Sequence, residues 1–121
     1  MNRILIARHF KRQLKVHLKK YRSIVDDLAD LLDGFDKRHH ADLGRGLYKA
    51  RLKSGDVPRG KNKSFRVVVF VVEVEKLLAP VAIYFKGDRN DMSKKELNDH
   101  LEAVLFELRC EGVYSQKKKG S

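Results

Sequence analysis

The chain has 121 residues, room for one domain with its own core, and 42% of them are hydrophobic, which sets it apart from disordered chains. Lysine and arginine number 27 against 16 acids, a formal net charge of +11 that exceeds what solubility requires. The single cysteine excludes an internal disulfide and a multi-cysteine metal site, and no stretch approaches the ~18 apolar residues of a membrane span.

Asn2 to Ala7 reads as a short strand with Ile4 and Ile6 on one face. Basic residues follow at once and the segment is too short for a secretory signal, so a cytoplasmic protein is expected. Between Arg8 and Lys20, Phe10, Leu14, Leu18 and Tyr21 recur every three or four residues, one apolar helical stripe among basic faces. Ser23 and Asp26 suggest a capping pair for a second helix, whose stripe is Ile24, Val25, Leu28, Leu31, Leu32 and Phe35. Its early aspartates suit the positive end of the helix dipole, and Gly34 suits its C-terminus.

After a predicted loop from Lys37 to Gly46 the period changes to two. Lys49, Arg51 and Lys53 face one way and Tyr48, Ala50 and Leu52 the other, giving a strand with one cationic face. A turn-rich basic loop spans Ser54 to Asn62. Phe65 to Val72 is nearly all apolar and β-branched, as in a central strand. Leu77 to Phe85 is the next strand. Ser93 and Glu96 form a capping box for a last helix with the stripe Leu97, Leu101, Val104, Leu105 and Leu108. Cys110 ends that helix and is expected to be a buried or half-buried thiol.

The expected class is α+β in the order β-α-α-β-β-β-α, an antiparallel sheet with helices mainly on one face. Residues 1–113 would form the single domain and 114–121 a disordered basic tail.

The charge is uneven. Residues 1–20 carry seven basic residues and no acid, and residues 45–66 carry eight against Asp56 alone. Such clustering implies a basic face and a polyanionic partner. Nothing in the sequence has the spacing of a phosphate-binding glycine loop or a zinc site, so no metal and no cofactor is expected. His39-His40 reads as a solvated pair, and His9, His17 and His100 as ordinary, partly exposed helix residues.

Four fragments then fall in order: Leu47-Tyr48-Lys49-Ala50-Arg51, Gly60-Lys61-Asn62-Lys63-Ser64-Phe65-Arg66, Tyr84-Phe85-Lys86, and Ser93 with Glu96. Over residues 41–105 the sequence resembles the RelE/HigB family of toxins from bacterial type II toxin–antitoxin modules. One departure is that the paired glycines of the family turn are Lys63-Ser64 here. The resemblance implies a RelE-like fold and a ribosome-dependent endoribonuclease, an mRNA interferase that inhibits translation. It implies two partners, mRNA on the ribosome and a cognate helix-turn-helix antitoxin. By motif, Lys49, Arg51, Arg66, Tyr84 and Lys86 are the catalytic candidates, and Lys53, Arg59, Lys61 and Lys63 the RNA-binding ones.

The residue chemistry stands beside this. Cleaving RNA at a 2′-hydroxyl needs a base, cations around the phosphorane and an acid for the leaving oxygen. Neighbouring cations lower a lysine pKa, while arginine stays charged and grips phosphate bidentately. Lysine, arginine and tyrosine can therefore work without metal. The alternatives are a ParE-like toxin that inhibits gyrase without nuclease activity, a non-catalytic RNA-binding module, and basic residues that merely solvate a strand.

Overall fold

The computed structural model of the chain describes residues 3–52, 64–87, 89 and 91–112. Strand β1 (Arg3–Ile4) leads into helices α1 (Arg8–Leu18) and α2 (Ile24–Asp33). Strands β2 (Ala41–Gly44), β3 (Leu47–Leu52), β4 (Phe65–Val72) and β5 (Leu77–Phe85) follow, then helix α3 (Lys94–Cys110). The five strands form one sheet in the order β1-β5-β4-β3-β2.

The α+β class and the predicted element order hold, with three refinements. First, β1 pairs with β5 in parallel, so the sheet is mixed; only β2 to β5 form an antiparallel meander. Second, the predicted loop from Lys37 to Gly46 contains a 3₁₀ turn, Lys37–His39, and strand β2. Its polar sequence hid β2, an edge strand that pairs through backbone rather than through an apolar face. The turn to β3 runs through Gly44, Arg45 and Gly46, all at positive φ. A Cβ on Gly46 would lie 3.1 Å from the Val71 carbonyl oxygen, so both space and backbone favour glycine there.

Third, helices cover both faces. In β4, Phe65, Val67 and Val69 pack with Phe10, Tyr21, Ile24, Leu28 and Leu32 from the α1–α2 side. Val68 and Phe70 point the other way and pack with Leu101, Val104, Leu105 and Leu108 of α3. A strand apolar on both sides needs a cover on both sides. Two helices thus share one face and the third seals the opposite one.

The caps differ from expectation at one helix. Ser93 and Glu96 do form the reciprocal capping box of α3. Ser23 does not cap α2; its hydroxyl donates to Asp27 at 3.0 Å instead. Helix α1 has no acid in its first turn. Glu107 of α3 supplies the missing acceptor, taking the backbone N–H groups of Arg8 and His9 at 2.8 Å each and placing a negative charge at the positive end of α1. Burial raises the Glu107 pKa, but those two N–H groups, with Arg8 and Arg12 nearby, outweigh it and hold the carboxyl below its usual range. Cys110 is exposed, because the last turn of α3 carries it off the apolar stripe.

Among the described residues, no helix is long and apolar enough to cross a membrane, and no group of three or more His, Cys, Asp or Glu could hold a metal ion.

Candidate nucleic-acid interface

The sheet face under α3 changes character along its length. Strand pairing sets Leu47 opposite Phe70 and Phe70 opposite Ala79, a wholly apolar row. The next row is Lys49, Val68 and Ala82. The third is Arg51, Arg66 and Tyr84. Directly paired residues project to the same side with Cβ atoms roughly 5 Å apart, so two arginines and a tyrosine lie abreast, with Lys49 one row back.

The row depends on an irregularity in β5. Between Val68 and Val69 the register slips by one, so that Val69 pairs with Pro80 and Val68 with Ala82. Uninterrupted pairing from Phe70–Ala79 would bring Ile83 opposite Arg66. The extra residue brings Tyr84 there instead and turns Ile83 into the α1–α2 core. Bulges re-aim side chains in this way, and Pro80, which has no N–H to give, sits at this one.

Gln13 of α1 braces the outer edge of the bulge. Its side-chain amide donates to the Val81 carbonyl at 2.9 Å, and its carbonyl accepts from the Ile83 N–H at 3.2 Å. It thereby continues the edge pairing that β1 begins at Leu77 and Leu78.

Arg66 is half-buried and donates to the Ser64 hydroxyl, a neutral acceptor. Among the described residues neither Arg51 nor Arg66 makes an ion pair, though other cations do: Arg45 with Glu102, Lys37 with Glu73 and Arg89 with Glu96. Tyr84 is 4% exposed. Burial, then its hydrogen bond to Asp91, push its phenol up to about 12, against the opposing pull of Arg66 and Arg89. The phenol therefore keeps its proton at neutral pH and acts as a hydrogen-bond donor.

Asp91, which the sequence reading passed over, is the acid of this cluster. It accepts from the Tyr84 hydroxyl at 2.9 Å and the Met92 N–H at 2.9 Å, and pairs with Lys49 at 3.5 Å. Burial works to raise its pKa, but these three partners outweigh it and hold the carboxyl below the ordinary value. The turn before a helix cap gave no signal of this contact.

Of the predicted residues, the structure brings Lys49, Arg51, Arg66 and Tyr84 onto one face. Lys86 follows β5, and its backbone N–H donates to the Ser64 carbonyl at 2.8 Å, so it adjoins the same end of the sheet. Lys53, Arg59, Lys61 and Lys63 lie outside the described residues. Through Phe10 and Leu14, helix α1 packs on the face of the sheet opposite the arginine row, and its Arg8 pairs with Glu107 of α3.

Fold and site together define a small α+β protein with a two-sided mixed sheet and a cationic row at one end. No family model matches the chain, and no curated protein matches it. Among solved structures the chain is similar to a double-arginine mutant of the E. coli toxin RelE in the free state. The two are 13% identical, the match covers 85% of this chain and 93% of that chain, and the TM-score is 0.44.

Proposed function

We propose that the protein is the toxin of a type II toxin–antitoxin pair, a metal-independent endoribonuclease that cuts mRNA on the ribosome and is held inactive by a cognate helix-turn-helix antitoxin. The observation that carries the reading is the row Arg51–Arg66–Tyr84 with Lys49 beside it. Like charges directly opposite on neighbouring strands destabilise a sheet, and a half-buried charge beside an apolar core costs energy unless it is paired. A phosphate between the two guanidiniums would relieve both costs. The sequence resemblance over residues 41–105 supports the same assignment.

In this reading Arg51 and Arg66 grip the scissile phosphate and Tyr84 donates a hydrogen bond to it. The 2′-oxygen attacks phosphorus, the 5′-oxygen leaves, and one proton moves off the first and another onto the second. Lys49 and Lys86 are the candidates for those two transfers. Lys53, Arg59, Lys61 and Lys63 would extend the grip along the strand.

The test is induced expression in bacteria with mapping of new mRNA 5′ ends. Ends clustered inside translated reading frames, absent from a strain that co-expresses the adjacent open reading frame, are the expected result. Growth arrest with intact mRNA and lost DNA supercoiling would replace this reading with gyrase inhibition. Binding of RNA without cleavage would replace it with a non-catalytic module.

A further inference from the structure

The cationic site is partly covered in the free protein. Asp91 lies against it, and its position is built. Arg89 donates through Nε to the Asp91 backbone carbonyl at 3.0 Å, and its two other nitrogens clasp Glu96 at 3.0 and 2.6 Å. Glu96 is itself fixed, because its carboxylate also accepts from the Ser93 N–H in the capping box of α3. The start of α3 therefore holds Asp91 through Arg89, with the guanidinium 5.9 Å from the centre of the Tyr84 ring.

From that anchor the two Asp91 oxygens reach different donors: one takes the Tyr84 hydroxyl and the other pairs with Lys49. A phosphate presents the same feature, anionic oxygens that accept from a phenol and an ammonium. Resting on the reading above, we propose that Asp91 is an internal competing anion. Its carboxylate occupies Tyr84 and Lys49 in the free protein, RNA phosphate displaces it, and Asp91 thereby sets the affinity of the site.

The arrangement suits displacement. The Asp91 side chain is 60% exposed, and pairs of this kind contribute little to stability. Once displaced, the carboxylate returns to water at small cost, while Arg89 still holds its backbone. Arg51 and Arg66 have no such internal partner among the described residues, so they are poised to make first contact.

The test uses the full chain and a short single-stranded RNA methylated at every 2′-oxygen, which binds but cannot be cut. Asp91→Asn removes the charge at nearly constant size. It should bind about two- to fivefold tighter than the wild type at low salt, the range set by an exposed pair. Asp91→Glu, which keeps the charge, should bind like the wild type. The gain should shrink in a Lys49→Ala background, where only the Tyr84 hydroxyl is left to release. Asp91→Ser provides the same measurement if Asn holds the donors through its own amide. Wild-type binding with Asp91→Asn and Asp91→Ser equal to it or weaker would overturn the competing anion and leave the RNA reading standing. No binding by any of the proteins, either to the free RNA or to ribosomes carrying it, would overturn both.

Discussion

Arg66 and Tyr84 are direct partners across β4 and β5, and they are partners only because β5 carries one extra residue at its bulge. In the proposed mechanism Arg66 stabilises the charge that builds on phosphorus. Loss of one preorganised contact of this kind costs about 3 kcal/mol, or ~10²-fold in rate. Arg66→Ala should therefore fold, bind the antitoxin and cleave mRNA at least about 100-fold more slowly. Lys95→Ala is the control, since Lys95 is exposed on α3 and, among the described residues, pairs only with Asp99 one turn on. Wild-type cleavage by Arg66→Ala would remove the arginine row from the mechanism.

The same row predicts a trade between stability and function. Arg51 sits directly opposite Arg66, and such like-charge pairs are destabilising by up to about 1 kcal/mol. Arg51→Gln keeps the aliphatic stem and removes the repulsion. It should unfold at the same temperature as the wild type or slightly higher, while cleaving more slowly. A clear drop in Tm would mean that Arg51 has a stabilising partner and that the row is not strained.

Salt dependence measures how many cations meet phosphate. Lys49, Arg51 and Arg66 alone would give a log–log slope of about −2 on single-stranded RNA, at roughly −0.7 per contact. Contacts from the basic loop would steepen it. Arg51→Gln should make the slope shallower by about 0.7. A slope near zero in a filter-binding or anisotropy titration would eliminate the phosphate grip.

Much of this was legible in the sequence, where the pattern was periodic. The period-two alternation of Leu47–Leu52 correctly put Lys49 and Arg51 on one face, and the apolar run Phe65–Val72 announced a central strand. The expectation put the helices mainly on one face; that α3 covers the other follows only from the structure, where Val67 and Val68 point at different layers. The bulge was not legible: Pro80 and Val81 read as ordinary strand residues, and a slip of one residue is fixed by partners on β4. Nor were the long-range contacts. Glu107 at the start of α1, Gln13 on the edge of β5 and Asp91 on Tyr84 join residues whose local surroundings favour nothing but an exposed polar side chain.

The contact between α1 and α3 should respond to acid. His9 and His100 share a hydrogen bond of 2.7 Å between Nε2 and Nδ1. Burial, then Arg12, depress His9 against the pull of Glu107. Burial, then His9 and Arg89, depress His100 against Glu96 and Asp99. A histidine whose pKa is lower in the folded state binds its proton more readily in the unfolded chain. Stability from the pair is complete above 6.5, the ordinary histidine value, and is lost as pH falls from there through the folded values. Denaturant midpoints should fall between about pH 7 and 5, before carboxylates titrate near pH 4. His100→Gln should flatten that limb. An unchanged limb in the variant would assign the acid sensitivity elsewhere.

Gln13 supplies the last expectation, because it links the bulge to the site. Its amide satisfies the Val81 carbonyl and the Ile83 N–H at once, on an edge that the two residues of β1 do not reach. Gln13→Ala leaves both groups without that partner in a half-buried position, which costs about 1–3 kcal/mol and lowers Tm by several degrees. The local effect separates this from general destabilisation. The Ile83 amide should exchange with solvent much faster than that of Val67, its partner on β4. Cleavage should fall more than the lost stability alone explains, since Tyr84 follows Ile83 directly and its alignment with Arg66 rests on the braced bulge. Unchanged protection at Ile83 would show that the bulge holds its shape without α1, and that Tyr84 is positioned by β4 alone.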